Sequence, residues 1–187
     1  MTRSLKSLTD LQLWFEFKEG NRQAFKLIYY KYYQHLFSYG LKLSSHSDLT
    51  EDCIQDLFLK LWKNRRNLGD VESIKAYLFK SFRRILIDLI KSDKKTGDII
   101  DLPAEYDVHL NVEDLLIKNE ASEQQLLRLE KALNNLSKRQ KEIIYLCFYK
   151  DMSYKEITEV IPIKYQTVRN CMHEAIKILR KHVTYYQ

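Results

Sequence analysis

Apolar positions recur along most of the chain at the three- and four-residue spacing of helices. Thr9 with Gln12 offers a capping pattern, in which side chains and amides bond reciprocally to start a helix. Leu11, Leu13, Trp14, Phe15 and Phe17 follow as its apolar content, and Gly20 with Asn21 breaks it. Phe25, Ile28, Tyr32, Leu36, Tyr39 and Leu43 then predict a long helix from Arg22 to Leu43. Ser44 to Ser47 reads as a loop, and Asp48 with Glu51 as the cap of a third helix whose stripe is Ile54, Leu57, Phe58, Leu61 and Trp62. A basic loop, Arg65 to Val71, contains Gly69. Ser73 starts a fourth helix, with Ile74, Tyr77, Leu78, Phe82, Ile85, Leu86 and Leu89 as core candidates.

The period is lost from Gly97 to Asp114. That stretch carries Asp98, Asp101, Glu105, Asp107, Glu113 and Asp114, no lysine or arginine, and both Gly97 and Pro103. It reads as an acidic linker, residues 96–114, between domains at 1–95 and 115–187. Helix resumes by about Leu115, and Leu126, Leu129, Leu133 and Leu136 keep helical spacing. Ser137 with Gln140 caps a further helix, with Ile143, Ile144, Leu146, Cys147 and Phe148 available to the core. Ser153 with Glu156 caps a short helix bearing Ile157, Val160 and Ile161, which Pro162 ends. A last helix begins near Tyr165 and buries Val168, Met172, Ala175 and Leu179. The expected fold is all-α: two small helical domains, the C-terminal one a four-helix domain ending in a helix-turn-helix. Four glycines and two prolines in 187 residues agree with so much helix.

Composition changes this picture little. Hydrophobic residues at 45% and charged residues at 30% are those of a soluble globular protein, and the net charge of +6 favours a polyanionic partner. Cys53, Cys147 and Cys171 sit singly among apolar neighbours and read as buried reduced thiols. The five histidines, His35, His46, His109, His173 and His182, are scattered, so neither a metal nor a cofactor is expected. No glycine-rich phosphate loop, clustered acid/base pair or nucleophile–histidine spacing points to catalysis. The N-terminus lacks a continuous apolar run, and no window approaches ~18 uncharged apolar residues, so a cytoplasmic protein is expected.

Three groups of side chains carry candidate chemistry. The last helix opposes its apolar stripe with Gln166, Thr167, Arg169, Asn170, His173 and Lys177. Arg169 is suited to the two acceptors of a guanine edge, Gln166 and Asn170 to adenine, and Thr167 and Lys177 to phosphates. A solvated basic face would look similar, but the capped helix and short turn before it favour a DNA-reading helix. The fourth helix is strongly cationic through Lys80, Arg83, Arg84, Lys91, Lys94 and Lys95, interrupted by Asp88 and Asp93. That suits either solvation or opened DNA strands. Asp52, Gln55 and Asp56 lie together near the front of the third helix, where they either complement the helix dipole or form a docking face. Tyrosines 29, 30, 32, 33 and 39 go all around the second helix and read as core and core rim rather than as base-stacking platforms.

Two stretches, taken together, resemble the extracytoplasmic-function group of bacterial sigma factors. EDCIQDLFLKLWKN with YLFKSFRRILIDLIK is similar to that family's region two, and LSKRQKEIIYLCFYKDMSYKEITEV with TVRNCMHEAIKILRK is similar to its region four. The resemblance implies that Asp52, Gln55 and Asp56 dock on the clamp helices of the polymerase β′ subunit. It implies that Lys80, Arg83, Arg84, Asp88 and Lys91 handle the minus-ten element. The loop from Arg65 to Val71, with Arg65 and Arg66, would capture a flipped base of the non-template strand. Arg169, Asn170 and His173 would read the minus-thirty-five element, and the acidic linker would thread toward the polymerase active centre. Implied partners are the polymerase core (β′ and β subunits), promoter DNA and an inhibitory anti-sigma factor, with no small-molecule substrate. Pro162 stands where the family's turn usually has glycine, and Thr158 where a small residue is usual. Cys171 and Glu174 stand where many relatives carry arginine, and Arg84 where asparagine is common. Two other readings remain: a helix-turn-helix regulator acting without polymerase, and a helical adaptor with no nucleic-acid role.

Overall fold

The computed structural model describes residues 8–96, 108, 110 and 123–183, and all regular structure among them is helical. The chain divides into two compact units, Met1–Asp101 and Leu102–Gln187. Of the acidic stretch, Val108 and Leu110 are described and both are buried. The rest of the expected linker, and the resumption of helix near Leu115, lie outside the described residues.

In the first unit, helix α1 spans Asp10–Lys18 behind the expected capping box of Thr9 and Gln12. Leu13, Trp14 and Phe17 are buried, whereas Leu11 and Phe15, also expected inside, are exposed. A nine-residue helix lying on α2 and α4 can bury only one stripe. Gly20, at φ 90°, takes the left-handed turn that a side chain would resist. Asn21 then caps α2, Arg22–Ser44, by accepting from the amides of Gln23 and Ala24. The predicted stripe of α2 is buried from Ile28 to Leu43, with Phe25 half-buried. Tyr39 lies inside against Phe79 and Phe82, and Tyr32 lies inside with its hydroxyl on Asp10. Tyr29 and Tyr33 are half-buried and Tyr30 is exposed, which is the core-and-rim arrangement.

The corner after α2 differs from expectation. Ser44 is the last residue of α2 and is buried; Ser45 turns the chain at φ 60°, and α3 runs Ser47–Asn64. The N-cap is His46, with no side-chain cap bond, so the Asp48–Glu51 box does not form. Hydroxyls hold the corner instead. Ser44 Oγ donates to Gly40 O at 2.9 Å and accepts from His46 N at 3.1 Å. It also lies 3.1 Å from Thr50 Oγ1, which donates to His46 O at 2.7 Å. A short 3-10 turn, Arg65–Asn67, follows α3. Helix α4, Ile74–Thr96, starts where the Ser73 hydroxyl accepts from Ala76 N at 3.2 Å. Ile74, Leu78, Phe82 and Leu86 are buried as expected, joined by Ala76, Phe79, Ile87 and Ile90.

The Asp10 carboxyl links α1 to α2 through Lys31 and Tyr32. Burial raises its pKa, but hydrogen bonds from Lys31 and Tyr32 and the charges of Lys31 and Lys75 outweigh burial, so it titrates below its ordinary 3.8. A depressed carboxylate stabilises the fold above its unfolded pKa and loses that contribution as pH falls through the folded one. The stability difference between wild type and Asp10→Asn, read by urea unfolding, should therefore stay constant from neutrality to about pH 4.5 and shrink in stronger acid. A gap that stays constant into strong acid would contradict this.

The second unit contains α5, Glu123–Asn134; α6, Lys138–Ile144; α7, Tyr154–Val160; and α8, Tyr165–Val183. The last helix packs on all three others. Both predicted capping boxes form, Ser137 with Gln140 and Ser153 with Glu156. Leu133, Leu136, Ile143, Ile144 and Leu146 are buried, but Phe148, expected inside, is 57% exposed. Residues Tyr145–Tyr149 form a π-helical turn. Its wider bonding takes an extra residue per turn and rotates Phe148 off the core side. Tyr145, in the same turn, is buried and stacked on Tyr149. Asp151 then reverses the chain at φ 45°, a conformation aspartate tolerates better than most side chains.

Cys53 is buried, and burial with the nearby Asp56 and Asp52 pushes its thiol up to about 12. Cys147 and Cys171 are only half-buried, a departure from the sequence expectation.

Candidate functional site

The helix-turn-helix consists of α7, α8 and the four residues between them. Pro162 holds the preceding Ile161 extended, at φ −104° and ψ 122°. Ile163 N donates to Ile161 O at 2.7 Å, and Lys164 O accepts from Thr167 N at 2.9 Å as α8 begins. The turn therefore closes with no left-handed residue, and the glycine usual at position 162 has no task here. Thr158 directs its hydroxyl to Lys155 O at 2.6 Å, within its own helix. Ile157, Val160, Ile161, Val168, Met172 and Ala175 are buried and bind the two helices together; Leu179 is half-buried.

The other side of α8 faces solvent. Gln166, Arg169, Asn170, His173 and Lys177 are exposed and share one face at helical spacing, with Thr167 half-buried beside them. Gln166 Nε2 donates to Asn170 Oδ1 at 2.9 Å, so two amides suited to adenine are already paired. Glu174 Oε1 lies 3.4 Å from His173 Nδ1 and introduces a negative charge at the edge of this face. Lys164, exposed at the mouth of the turn, adds a cation that helical periodicity alone did not single out.

In the first unit, α4 carries Lys80, Arg84, Asp88 and Lys91 exposed along one face. Arg84 Nε is 3.9 Å from Asp88 Oδ2, and Arg83 is half-buried. Lys94 and Lys95 fall on side chains outside the description.

The loop after α3 is not uniformly basic toward solvent. Arg66 is exposed, but Arg65 turns back: its guanidinium lies 4.4 Å from the Trp62 ring centroid and donates to Trp62 O at 2.8 Å. It closes the end of α3 instead of extending outward. Trp14 Nε1 donates to Gly69 O at 3.1 Å, and Lys18 pairs with Asp70 at 2.8 Å. Trp14 and Lys18 were missed as site residues, because their partners lie more than fifty positions away in sequence.

On α3, Asp52 and Gln55 are exposed and Asp56 is half-buried, its carboxylate 2.7 Å from Lys60 Nζ. Beside Gln55 opens an apolar groove of about 500 Å³ between α2 and α3, lined by Phe25, Tyr29, Phe58, Leu59 and Trp62. Leu59 is 70% exposed at its edge. Sequence reading passed over Leu59, since a single apolar residue off the core stripe is common on surfaces.

Among the described residues no group of histidine, cysteine or acidic side chains is placed to hold a metal ion, and no helix is long and apolar enough to cross a membrane.

Comparison with known proteins bears on both units. A family model described as Sigma-70 region 2 matches residues 28–96, and one described as Sigma-70, region 4 matches residues 132–181; together they take in well over half the chain. Similar curated proteins include RNA polymerase sigma factor SigV of Bacillus subtilis, 27% identical across 82% of this chain and 84% of that protein. The ECF RNA polymerase sigma factor SigX of the same organism is 22% identical across 86% and 84%. Among solved structures, CnrH in complex with the cytosolic domain of CnrY shares the fold at a TM-score of 0.60 and 18% identity, covering 95% of this chain and 99% of that one. The sigma factor RpoE in complex with the anti-sigma factor NepR from Bartonella quintana shares it at 0.58 and 22%, covering 89% and 98%. With a region-2 match on the first helical unit, a region-4 match on the helix-turn-helix unit, and ECF sigma factors aligned along most of the chain, this protein belongs to the sigma-70 family, in its extracytoplasmic-function group.

Proposed function

We propose that the chain directs the bacterial RNA polymerase core to specific promoters, with one unit gripping the enzyme and opened strands and the other reading duplex DNA. The single observation that carries this reading is the match of regions 2 and 4 to its two helical units, in that order. Asp52, Gln55 and Asp56 dock on the polymerase, with the groove around Leu59 as an apolar neighbour to that contact. Lys80, Arg83, Arg84 and Lys91 neutralise phosphates of the minus-ten region, and Arg66 reaches toward the strand from the loop. Arg65 supports that loop from within. Gln166, Thr167, Arg169, Asn170, His173 and Lys177 enter the major groove at the minus-thirty-five element. The chain itself performs no chemistry; the polymerase does. Two structural relatives are seen in complex with a partner, CnrH with the cytosolic domain of CnrY and RpoE with the anti-sigma factor NepR. An anti-sigma partner is therefore part of the proposal.

Transcription in vitro with core polymerase on a library of promoter fragments tests the whole reading: promoter-selective initiation is expected. A duplex-binding regulator acting alone would bind DNA without giving core selectivity, and an adaptor would do neither. Arg169→Ala should weaken minus-thirty-five duplex binding by about 5- to 150-fold, because a bidentate arginine–guanine contact is worth about 1–3 kcal/mol. Lys177→Ala should instead weaken all sequences alike and lower the salt dependence by about one counterion. Fluorescence anisotropy at several salt concentrations checks both. Equal loss on cognate and scrambled duplex for Arg169→Ala would place that side chain on the backbone rather than on a base.

A further inference from the structure

Helix α1 lies before residue 28, where the region-2 match begins, and it makes both side-chain contacts described above between α1 and the loop after α3. The Trp14 indole N–H donates to Gly69 O at 3.1 Å, and Lys18 holds Asp70 at 2.8 Å. The two donors sit four positions apart, on one face of α1, so they grip consecutive residues of the loop from a single rigid element. At the other end of the loop, Arg65 is fixed by Trp62. The loop is open to solvent at this point: Gly69 is exposed and a Cβ built on it meets nothing within 4 Å.

Stability alone accounts for one of these contacts. A buried indole N–H needs an acceptor wherever it is, and Trp14 is buried. The Lys18–Asp70 pair is different, because the Asp70 side chain is 97% exposed and such a pair adds little to folding. Its effect is to restrict where residue 70 can go.

We propose that α1 is the positioning element for the base-trapping loop, with Trp14 and Lys18 holding Gly69 and Asp70 so that the open side of the loop meets the unpaired strand at one place. This rests on the reading of residues 65–71 as the base trap, and the test separates the two. Holoenzyme is assembled from the full chain and core polymerase. Its affinity is measured for single-stranded non-template minus-ten oligonucleotides, intact or abasic at each position in turn. Wild type should lose affinity sharply at one position. Lys18→Met, which keeps the mostly buried aliphatic stem and removes only the ammonium, and Trp14→Phe, which keeps a ring and removes the N–H, should each cut that penalty about fivefold, the scale of one lost hydrogen bond. Core binding and Tm of Lys18→Met should match wild type. The exchange Lys18→Asp with Asp70→Lys should restore the penalty. If wild type shows the penalty and Lys18→Met keeps it in full, α1 does not position the loop, although the loop still traps a base. If wild type shows no position-dependent penalty, the base-trap reading falls and takes this proposal with it.

Discussion

Gly40→Ala lowers the stability of the first unit by about 1–3 kcal/mol, the usual range for overpacking a well-filled core. Intrinsic preference argues the opposite way, since alanine in a helix interior is favoured over glycine by roughly 1 kcal/mol. Packing decides the sign. A Cβ on Gly40 would collide with Thr50 Cγ2 and stand 2.7 Å from Phe82 Cζ. Neither neighbour yields easily. Thr50 is buried and tied by its hydroxyl to His46 O and Ser44, and Phe82 is fully buried against Tyr39. Gly40 is thus a point where α2, α3 and α4 meet with no room for a side chain. Chemical unfolding monitored by circular dichroism checks this, and Phe82→Leu supplies the control. By making room at the contact, it should render the double variant less unstable than the sum of the two single changes. Gly40→Ala as stable as wild type would mean that the three helices part freely there.

On the proposed docking role of Asp56, Asp56→Arg is expected to abolish most capture of core polymerase while leaving the fold intact. A like charge introduced into a complementary contact costs several kcal/mol, enough to lower affinity by about a hundredfold or more. The local cost to folding is small. The Asp56–Lys60 pair is partly exposed at i,i+4 spacing, where such pairs contribute about 0.3–0.5 kcal/mol. Loss of capture with unchanged Tm would therefore report on docking and not on unfolding. Pull-down with tagged core, beside a charge reversal at exposed Glu51 as a less central control, makes the comparison. Undiminished capture by Asp56→Arg would remove Asp52, Gln55 and Asp56 from the docking face and leave their acidity to the helix dipole.

Much of this architecture was legible because helical periodicity and caps are local. Thr9, Ser137 and Ser153 each announced a helix start, and each forms its reciprocal bonds. The side chains of α8 sorted into a buried and an exposed face from spacing, with Leu179 half-buried at the end of the stripe. The same logic failed where regular spacing is broken. Phe148 points outward because a π turn shifts the register, a wider bonding pattern that no capping or turn residue marks. Asp48 and Glu51 had the letters of a capping box but stand inside α3, because the corner bonded through the buried hydroxyls of Ser44 and Thr50 places the cap two residues earlier, at His46.

What the sequence determined by itself is therefore what depends on neighbours within about five residues: the helices, most of their starts, the buried stripes and the chemical character of each exposed face. What only the tertiary structure decided depends on partners far along the chain. Trp14 and Lys18 reach the loop at Gly69 and Asp70, more than fifty residues away. Gly40 is needed because of Thr50 and Phe82, not because of any turn. Side-chain bonds of this kind carry no period, since each is set by how whole helices pack, and packing is the sum of many contacts rather than of any local pattern.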